Sequence, residues 1–325
     1  MEATPPIIRT TAPASLLLGL ARLSSGVLAW LGLTVQYPPI SIDARPAPAL
    51  AVTGASADLG YPHAARALQR FGLPPAEVEI DYALPRRMGL GAEPMLALSL
   101  ARTLAALAHD PDAEDTFALA DGLGLPRSQA LAVQSFHQGG VLLVPAGEEG
   151  GPWPQPLRRC ELSHDDKHSW VWVLHWPHVP AEISPTLEAD RLAQMLAAAP
   201  HLSDETGRLV EEALWPALAH DDLPAFSQAL MRFMALNRQA LAAAGTPPAS
   251  LAGTEVVLAC LRENGALGWG EPATGLARFG LIRGGPDSIV LRRKLAELVG
   301  YEGGTVMATI CDNRGGWHKF VAEGE

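Results

Sequence analysis

The chain has 325 residues, 48% of them hydrophobic and 18% charged, which supplies an ordinary core for about two domains and excludes a disordered polypeptide. Its formal charge of −11 repels a phosphate backbone, so nucleic acid is not an expected partner. Cys160, Cys260 and Cys311 lie far apart without a C-x-x-C pair, leaving no zinc motif or disulfide framework and fitting a reducing cytoplasm.

The most apolar N-terminal run, residues 14–33, is interrupted by Arg22 and by Ser24-Ser25-Gly26. It reads as two strands of a hairpin, 15–23 and 27–35, and not as a signal or membrane-spanning segment. Pro38-Pro39 closes the second strand, short strands follow at 40–43 and 50–53, and 62–71 is helical with Gly72 as its stop. Residues 78–84 alternate as a strand ending at Pro85, and leucines 96, 100, 104 and 107 give 95–108 the spacing of a helix with one buried stripe. A helix over 113–122, a segment 128–136 that fits helix or strand, and a strand at 139–144 come next. The Pro- and Gly-rich run 145–156 marks a surface loop or domain boundary, dividing 1–156 from 157–325. Beyond it the pattern predicts a strand at 170–176, helices at 187–199, 205–220, 225–244 and 251–264, and a strand-like stretch at 265–282. A helix at 287–299 and a strand at 305–310 close the chain. Strands and helices mix without a βαβ rhythm, which is an α+β pattern in two halves.

The most informative segment is Leu84-Pro-Arg-Arg-Met-Gly-Leu-Gly-Ala92-Glu93-Pro94, a glycine turn running straight into a helix. Glycines let a ligand approach the backbone, and free N–H groups at a positive helix end suit phosphate or another anion. A tight strand-to-helix connection without any ligand has the same pattern.

Pro85-x-x-x-Gly89-Leu90-Gly91 before a leucine/alanine helix resembles the second motif of the GHMP kinase superfamily, Pro-x-x-x-Gly-Leu-Gly-Ser-Ser-Ala. The whole run more narrowly resembles β-ribofuranosylaminobenzene 5′-phosphate synthase, a superfamily member that is not a kinase. Arg127-Ser128 ahead of Gly139-Gly140-Val, the helical pair over 214–237, the run Gly265 to Gly275 with Gly268, Gly270 and Glu271, and Asn313-Arg314-Gly315 are similar to segments of that synthase in the same order. The resemblance implies an N-terminal half like the second domain of ribosomal protein S-five, a ferredoxin-like C-terminal half, and an active site between them. It also implies a pentosyltransferase that condenses p-aminobenzoate or a near relative with phosphoribosyl pyrophosphate, releasing CO2 and pyrophosphate, on a route to methanopterin-type one-carbon carriers. Pro85, Gly89, Leu90, Gly91, Ala92, Glu93, Arg127, Ser128, Gly268, Gly270, Glu271, Asn313 and Arg314 are the implied substrate- and phosphate-binding positions, with Mg2+ to spread the pyrophosphate charge. The second reading is an ATP-dependent small-molecule kinase, which the motif allows but the missing Ser makes harder, and a non-catalytic binding relative, favoured by Ala92 and Glu93, is the third.

The departures bear on that choice. Ala92 stands where the family has Ser and offers no hydroxyl, and Glu93 would repel a pyrophosphate beside it. Glu271 replaces a Gln, Pro272-Ala273-Thr274 replace Ser-Ser-Trp, and the family's Arg and His on the first strand are missing from residues 11–18.

Other residues carry less. His164, His168, His175 and His178, with Glu161, Asp165 and Asp166, are placed on more than one element and read as a solvated interdomain loop before a metal site. Trp170, Trp172 and Trp176 share a strand face and read as core. Cys311 reads as a buried thiol. Glu93 and Glu271 would form an acid/base or metal-binding pair if both faced one pocket. A two-fold homodimer is the expected assembly if the chain oligomerises.

Overall fold

The computed structural model describes residues 7–165, 168–246, 251–300 and 302–321, and arranges them as an α+β fold around two sheets. The predicted hairpin is its spine. β1 (Ile7–Arg22) and β2 (Leu28–Pro46) pair antiparallel from Ile8↔Ala44 to Arg22↔Leu28. Both strands outrun the sequence expectation, because Pro38-Pro39 does not end β2. The register steps from Ala14↔Val35 to Ala12↔Ile40, so residues 36–39 bulge from the ladder and the prolines' missing N–H groups cost no bond to β1.

β3 (Ala51–Gly54) pairs parallel with β4 (Ala76–Tyr82) through the crossover helix α1 (Ala57–Phe71), and β4 pairs with the far half of β2. The near half of β2 pairs with β5 (Val141–Pro145), which pairs with β6 (Arg158–Cys160). The second sheet runs β10 (Thr305–Ile310), β7 (Trp170–Trp176), β9 (Arg278–Arg283), β8 (Gly268–Gly270). β11 (Trp317–Val321) returns to pair with β1, so two strands from beyond residue 156, β6 and β11, lie in the first sheet.

The leucine helix is α2 (Ala92–Leu107), and it differs from the expectation of one buried stripe. All of its residues from Pro94 to Ala106 are buried, because the sheet lies on one side while α1, α3 (Thr116–Leu123) and α4 (Ala130–Gln138) cover the others. Arg102, its buried cation, donates to Ala113 O at 3.0 Å, Gly316 O at 2.7 Å and Thr116 Oγ1 at 2.8 Å, so its charge is solvated by backbone and hydroxyl oxygens. Residues 128–136, open between helix and strand in the sequence, are helical.

In the second half, α5 (Leu187–Ala197) precedes a continuous helical run in which α6 (Glu205–Arg208), a π turn and α7 (Trp215–Ala219) follow one another. Then come α8 (Leu223–Ala243), α9 (Thr254–Glu263) and α10 (Pro286–Val299). Trp170 and Trp172 pack in the core, 4.9 Å from Phe226 and 5.1 Å from Phe279 between ring centroids. The strand-like stretch 265–282 divides into β8 and β9 with a loop between them, and that loop crosses to the first half.

The crossing loop lies backbone to backbone on the glycine turn. Leu276 N donates to Arg87 O at 2.9 Å and Ala273 N to Leu17 O at 2.9 Å, while Ser15 N donates to Leu90 O at 3.0 Å from the strand side. A Cβ on Gly275 would stand 1.9 Å from Gly89 N, a contact between backbones with no flexible side chain to yield. Gly275→Ala is therefore expected to destabilise the protein by about 1–3 kcal/mol through overpacking. Denaturant unfolding checks this; an unchanged midpoint would show that the two loops separate at little cost.

Candidate functional site

The glycine turn is built from left-handed backbone: Arg87, Gly89 and Gly91 have φ of 68°, 75° and 67°. Gly91 is the N-cap of α2 and brings no side chain to satisfy the helix's first N–H groups. The amides of the turn just ahead of the helix have a partner from the other half of the molecule. Gly89 N donates to Glu188 Oε1 and Gly91 N to Glu188 Oε2, each at 3.1 Å. One carboxylate near the start of α5 thus sits in the anion cradle, both oxygens engaged. Burial pushes the Glu188 carboxyl above its ordinary value, against the opposing pull of the backbone at Gly89, Gly91, Met88 and Arg87. Arg87 steadies the approach to α5 by donating from Nη1 to Ile183 O at 2.8 Å.

Beside this contact opens a cleft of about 730 Å³. The glycine turn and the start of α2 form one wall, the residues entering α4 another, the first turns of α5 a third, and Ser15, Leu17 and Trp30 of the β1–β2 hairpin the floor. Its charged groups are Arg86, Arg87, Glu93 and Glu188, all at the turn. Ser15 and Leu17 occupy the strand where the resembled family carries Arg and His, and Ser15 Oγ is 3.0 Å from Ser135 Oγ instead of facing a cation.

The positions singled out in the sequence separate into groups. Gly89 and Gly91 supply the cradle, Pro85 leads into it, Leu90 is buried beneath it, and Ala92, Glu93 and Ser128 line the cleft. Arg127 lies outside the lining: its guanidinium stacks 3.9 Å from the Trp153 ring and bonds Gly151 O and Asp121. Asn313 ties down Leu162 through Oδ1 and Nδ2, and Arg314 stacks on Trp317. Gly268 and Gly270 sit on β8 against Ser227 and Met234.

Glu93 and Glu271 do not meet. Glu93 is largely exposed at the mouth of the cleft, 3.8 Å from His63 Nε2. Glu271 lines a separate hollow of about 560 Å³, 4.0 Å from Arg278 Nε; burial raises its carboxyl, and the Arg278 charge opposes. The acid/base pairing of these two carboxylates is thereby removed.

The histidine segment is dispersed as well. His164 bonds Cys311 O at 2.8 Å, His168 pairs with Asp165, and His175 bonds Gly303 O at 2.9 Å, while Asp166 lies outside the described residues. Among the described residues no group of three or more His, Cys, Asp or Glu is placed to hold a metal, and no helix is long and apolar enough to cross a membrane. Burial raises the Cys311 thiol, as expected of an inert core cysteine.

Among the residues of the site that escaped sequence reasoning are Glu188, Arg86 and Arg87. Glu188 looks like any acidic residue in a helix's first turn, and only the packing of α5 on the glycine turn distinguishes it.

No family model matches the chain, and no curated protein matches its sequence. Solved structures do. Mevalonate kinase from L. major, in complex with R-mevalonate, superposes with a TM-score of 0.67 at 14% identity, covering 96% of this chain and 97% of that one. Mevalonate diphosphate decarboxylase from Enterococcus faecalis gives 0.63 at 12% identity over 98% and 100%. Homoserine kinase from Cytophaga hutchinsonii gives 0.58 at 16% identity over 98% and 99%. The fold is that of the GHMP kinases. The narrower likeness to the pentosyltransferase has no counterpart among these similar structures.

The raised Glu188 carboxyl has a definite pH signature. A folded-state pKa above the unfolded value of 4.5 means that folding takes up a proton, so this group's contribution to stability falls as pH rises through that window. Glu271 shifts in the same direction, so the comparison needs a variant. Between about pH 4.5 and 7, unfolding free energy is expected to fall less steeply for Glu188→Gln than for wild type in parallel denaturant titrations. Identical slopes would place the carboxylate in water.

Proposed function

We propose that the chain is an ATP-dependent small-molecule kinase of the GHMP type, in which the nucleotide's phosphates take the amides that Glu188 engages in this closed form. The observation that carries the reading is the paired bond from Gly89 and Gly91 to a carboxylate, which supports an anion-binding role for the turn. A fold shared with homoserine and mevalonate kinases favours ATP as the donor.

Phosphoryl transfer asks mainly for positioning and for spreading of negative charge. The turn's amides would hold the β- and γ-phosphates, and Arg86 and Arg87 stand beside them to offset the charge that develops. The acceptor oxygen bonds to the γ-phosphorus as the bridging bond breaks, ADP leaves with that electron pair, and the hydroxyl proton passes to a nearby carboxylate or water. Glu93 and Glu188 are the carboxylates at this end of the cleft, which suits a magnesium ion that arrives on the phosphates and keeps most of its waters. A similar structure, described as a complex with MVAPP, AMPPCP and magnesium, has that combination of ligands. Ala92 contributes no ligand atom, so Glu93 and Glu188 would be the side chains that hold such an ion.

Phosphoribosyl pyrophosphate is the second donor considered, favoured by the order of motifs resembling the pentosyltransferase. Calorimetric titration of wild type, Glu188→Ala and Glu188→Gln with each magnesium-bound donor separates the two. Wild type is expected to bind Mg-ATP, and Glu188→Ala to bind it about tenfold or more tightly, since the competing carboxylate is gone. Binding of phosphoribosyl pyrophosphate alone would replace the kinase reading with the pentosyltransferase. Binding of neither donor to any variant would leave the turn a structural joint and overturn both.

A further inference from the structure

α5 stands between two cavities. Glu188 and Leu192 line the cleft at the glycine turn, while Leu187, Arg191 and Met195, at four-residue intervals, line the hollow of about 560 Å³ on the helix's other side. The crossing loop completes the partition, since Thr274 borders both spaces. Met195, buried at 3% exposure, anchors α5 on the side of the hollow, and Glu188 ties it to the turn on the other.

The hollow joins an apolar interior to two cations. Leu18 of β1, Met195 of α5, and Met234 and Leu241 of α8 form its apolar part, and the flexible thioethers adapt to irregular shapes. Arg191 and Arg238 supply a guanidinium each, one from α5 and one from α8, against a single carboxyl, Glu271. Glu271 is engaged by Arg278 at 4.0 Å, which leaves the exposed Arg238 at longer range from it. Arg191 is partly buried, and burial pulls its guanidinium below the ordinary arginine value; a carboxylate forked by that guanidinium would restore solvation lost to packing. Glu271 in the same lining opposes a doubly charged phosphate more than a singly charged carboxylate.

We propose that this hollow is a regulatory site for a small carboxylate with a short apolar chain, its head group between Arg191 and Arg238 and its chain on Leu18 and the two methionines. Such a ligand bridges α5 to α8 in the arrangement that also seats Glu188 on the glycine turn. What binds one arrangement stabilises it, so the carboxylate strengthens the hold of Glu188 on Gly89 and Gly91 from a separate cavity. The consequence for a nucleotide, exclusion of its phosphates from the cradle, rests on the kinase reading; the site itself does not.

Hexanoate, 1-hexanol and acetate separate the head group from the chain. Calorimetric titration of the full chain is expected to show hexanoate bound about tenfold or more tightly than either of the others. Arg191→Gln and Arg238→Gln are each expected to weaken hexanoate about fivefold or more while leaving 1-hexanol unchanged, which also shows the fold intact. Hydrogen exchange reads the coupling: saturating hexanoate is expected to slow exchange of the Gly89 and Gly91 amides about fivefold or more in wild type and to leave it unchanged in Glu188→Ala. 1-Hexanol bound as tightly as hexanoate, no binding of hexanoate, or hexanoate binding indifferent to both arginine substitutions would overturn the proposal. Exchange unaltered in wild type, or slowed equally in Glu188→Ala, would do the same, the latter because hexanoate would then occupy the turn itself. Mg-ATP titrated with and without hexanoate keeps the two readings apart. Mg-ATP that binds no sample removes the kinase reading alone, and Mg-ATP affinity that hexanoate leaves unchanged removes this inference alone.

Discussion

The molecule depends on the close approach of two glycine-bearing loops, one from each half of the chain. Gly89 and Gly275 meet backbone to backbone at a separation that no side chain permits, and hydrogen bonds to the carbonyls of Leu17 and Arg87 pin the crossing loop on either side. Once the loops are locked, the amides of the turn point into the space between the halves, and α5 is delivered to the one place where a carboxylate can reach two of them. The left-handed φ values at Gly89 and Gly91 follow from the same constraint, since the chain has to turn sharply beneath the loop before α2 begins.

Glu188 then has two aspects. For folding, it satisfies two backbone amides of the turn just ahead of α2 and links the halves through charge-assisted bonds. On the proposed kinase reading, a phosphate-bearing ligand would have to displace it from those amides. Ala92, at the position where the resembled motif has Ser, fits that reading, because the turn is left with backbone donors alone, and these serve a carboxylate as well as a phosphate.

Much of the architecture could be read from the sequence because it was written in local patterns. The hairpin came from two apolar runs around Ser-Ser-Gly, the glycine turn from Pro85 to Gly91, and α2 from its leucines. The continuation of β2 through Pro38-Pro39 was hidden, since it needs a bulge that only the partner strand reveals. The candidate site was legible by half. Gly89 and Gly91 announce themselves through residue type, but Arg127, Asn313 and Arg314, equally prominent in sequence, are spent on stacking and loop ties. Glu188 gains its meaning from a contact between segments about 100 residues apart, which no periodicity or spacing encodes.

The most direct test follows the two amides themselves. With glycine selectively labelled with nitrogen-15, the resonances of Gly89 and Gly91 can be assigned by substitution and observed in wild type and Glu188→Ala, with and without Mg-ATP. The account predicts that both resonances move when Glu188 is truncated, and move again, saturably, when the nucleotide is added to that variant. Resonances that stay fixed through truncation and nucleotide addition would contradict it, showing that the glycine turn holds neither carboxylate nor phosphate in solution.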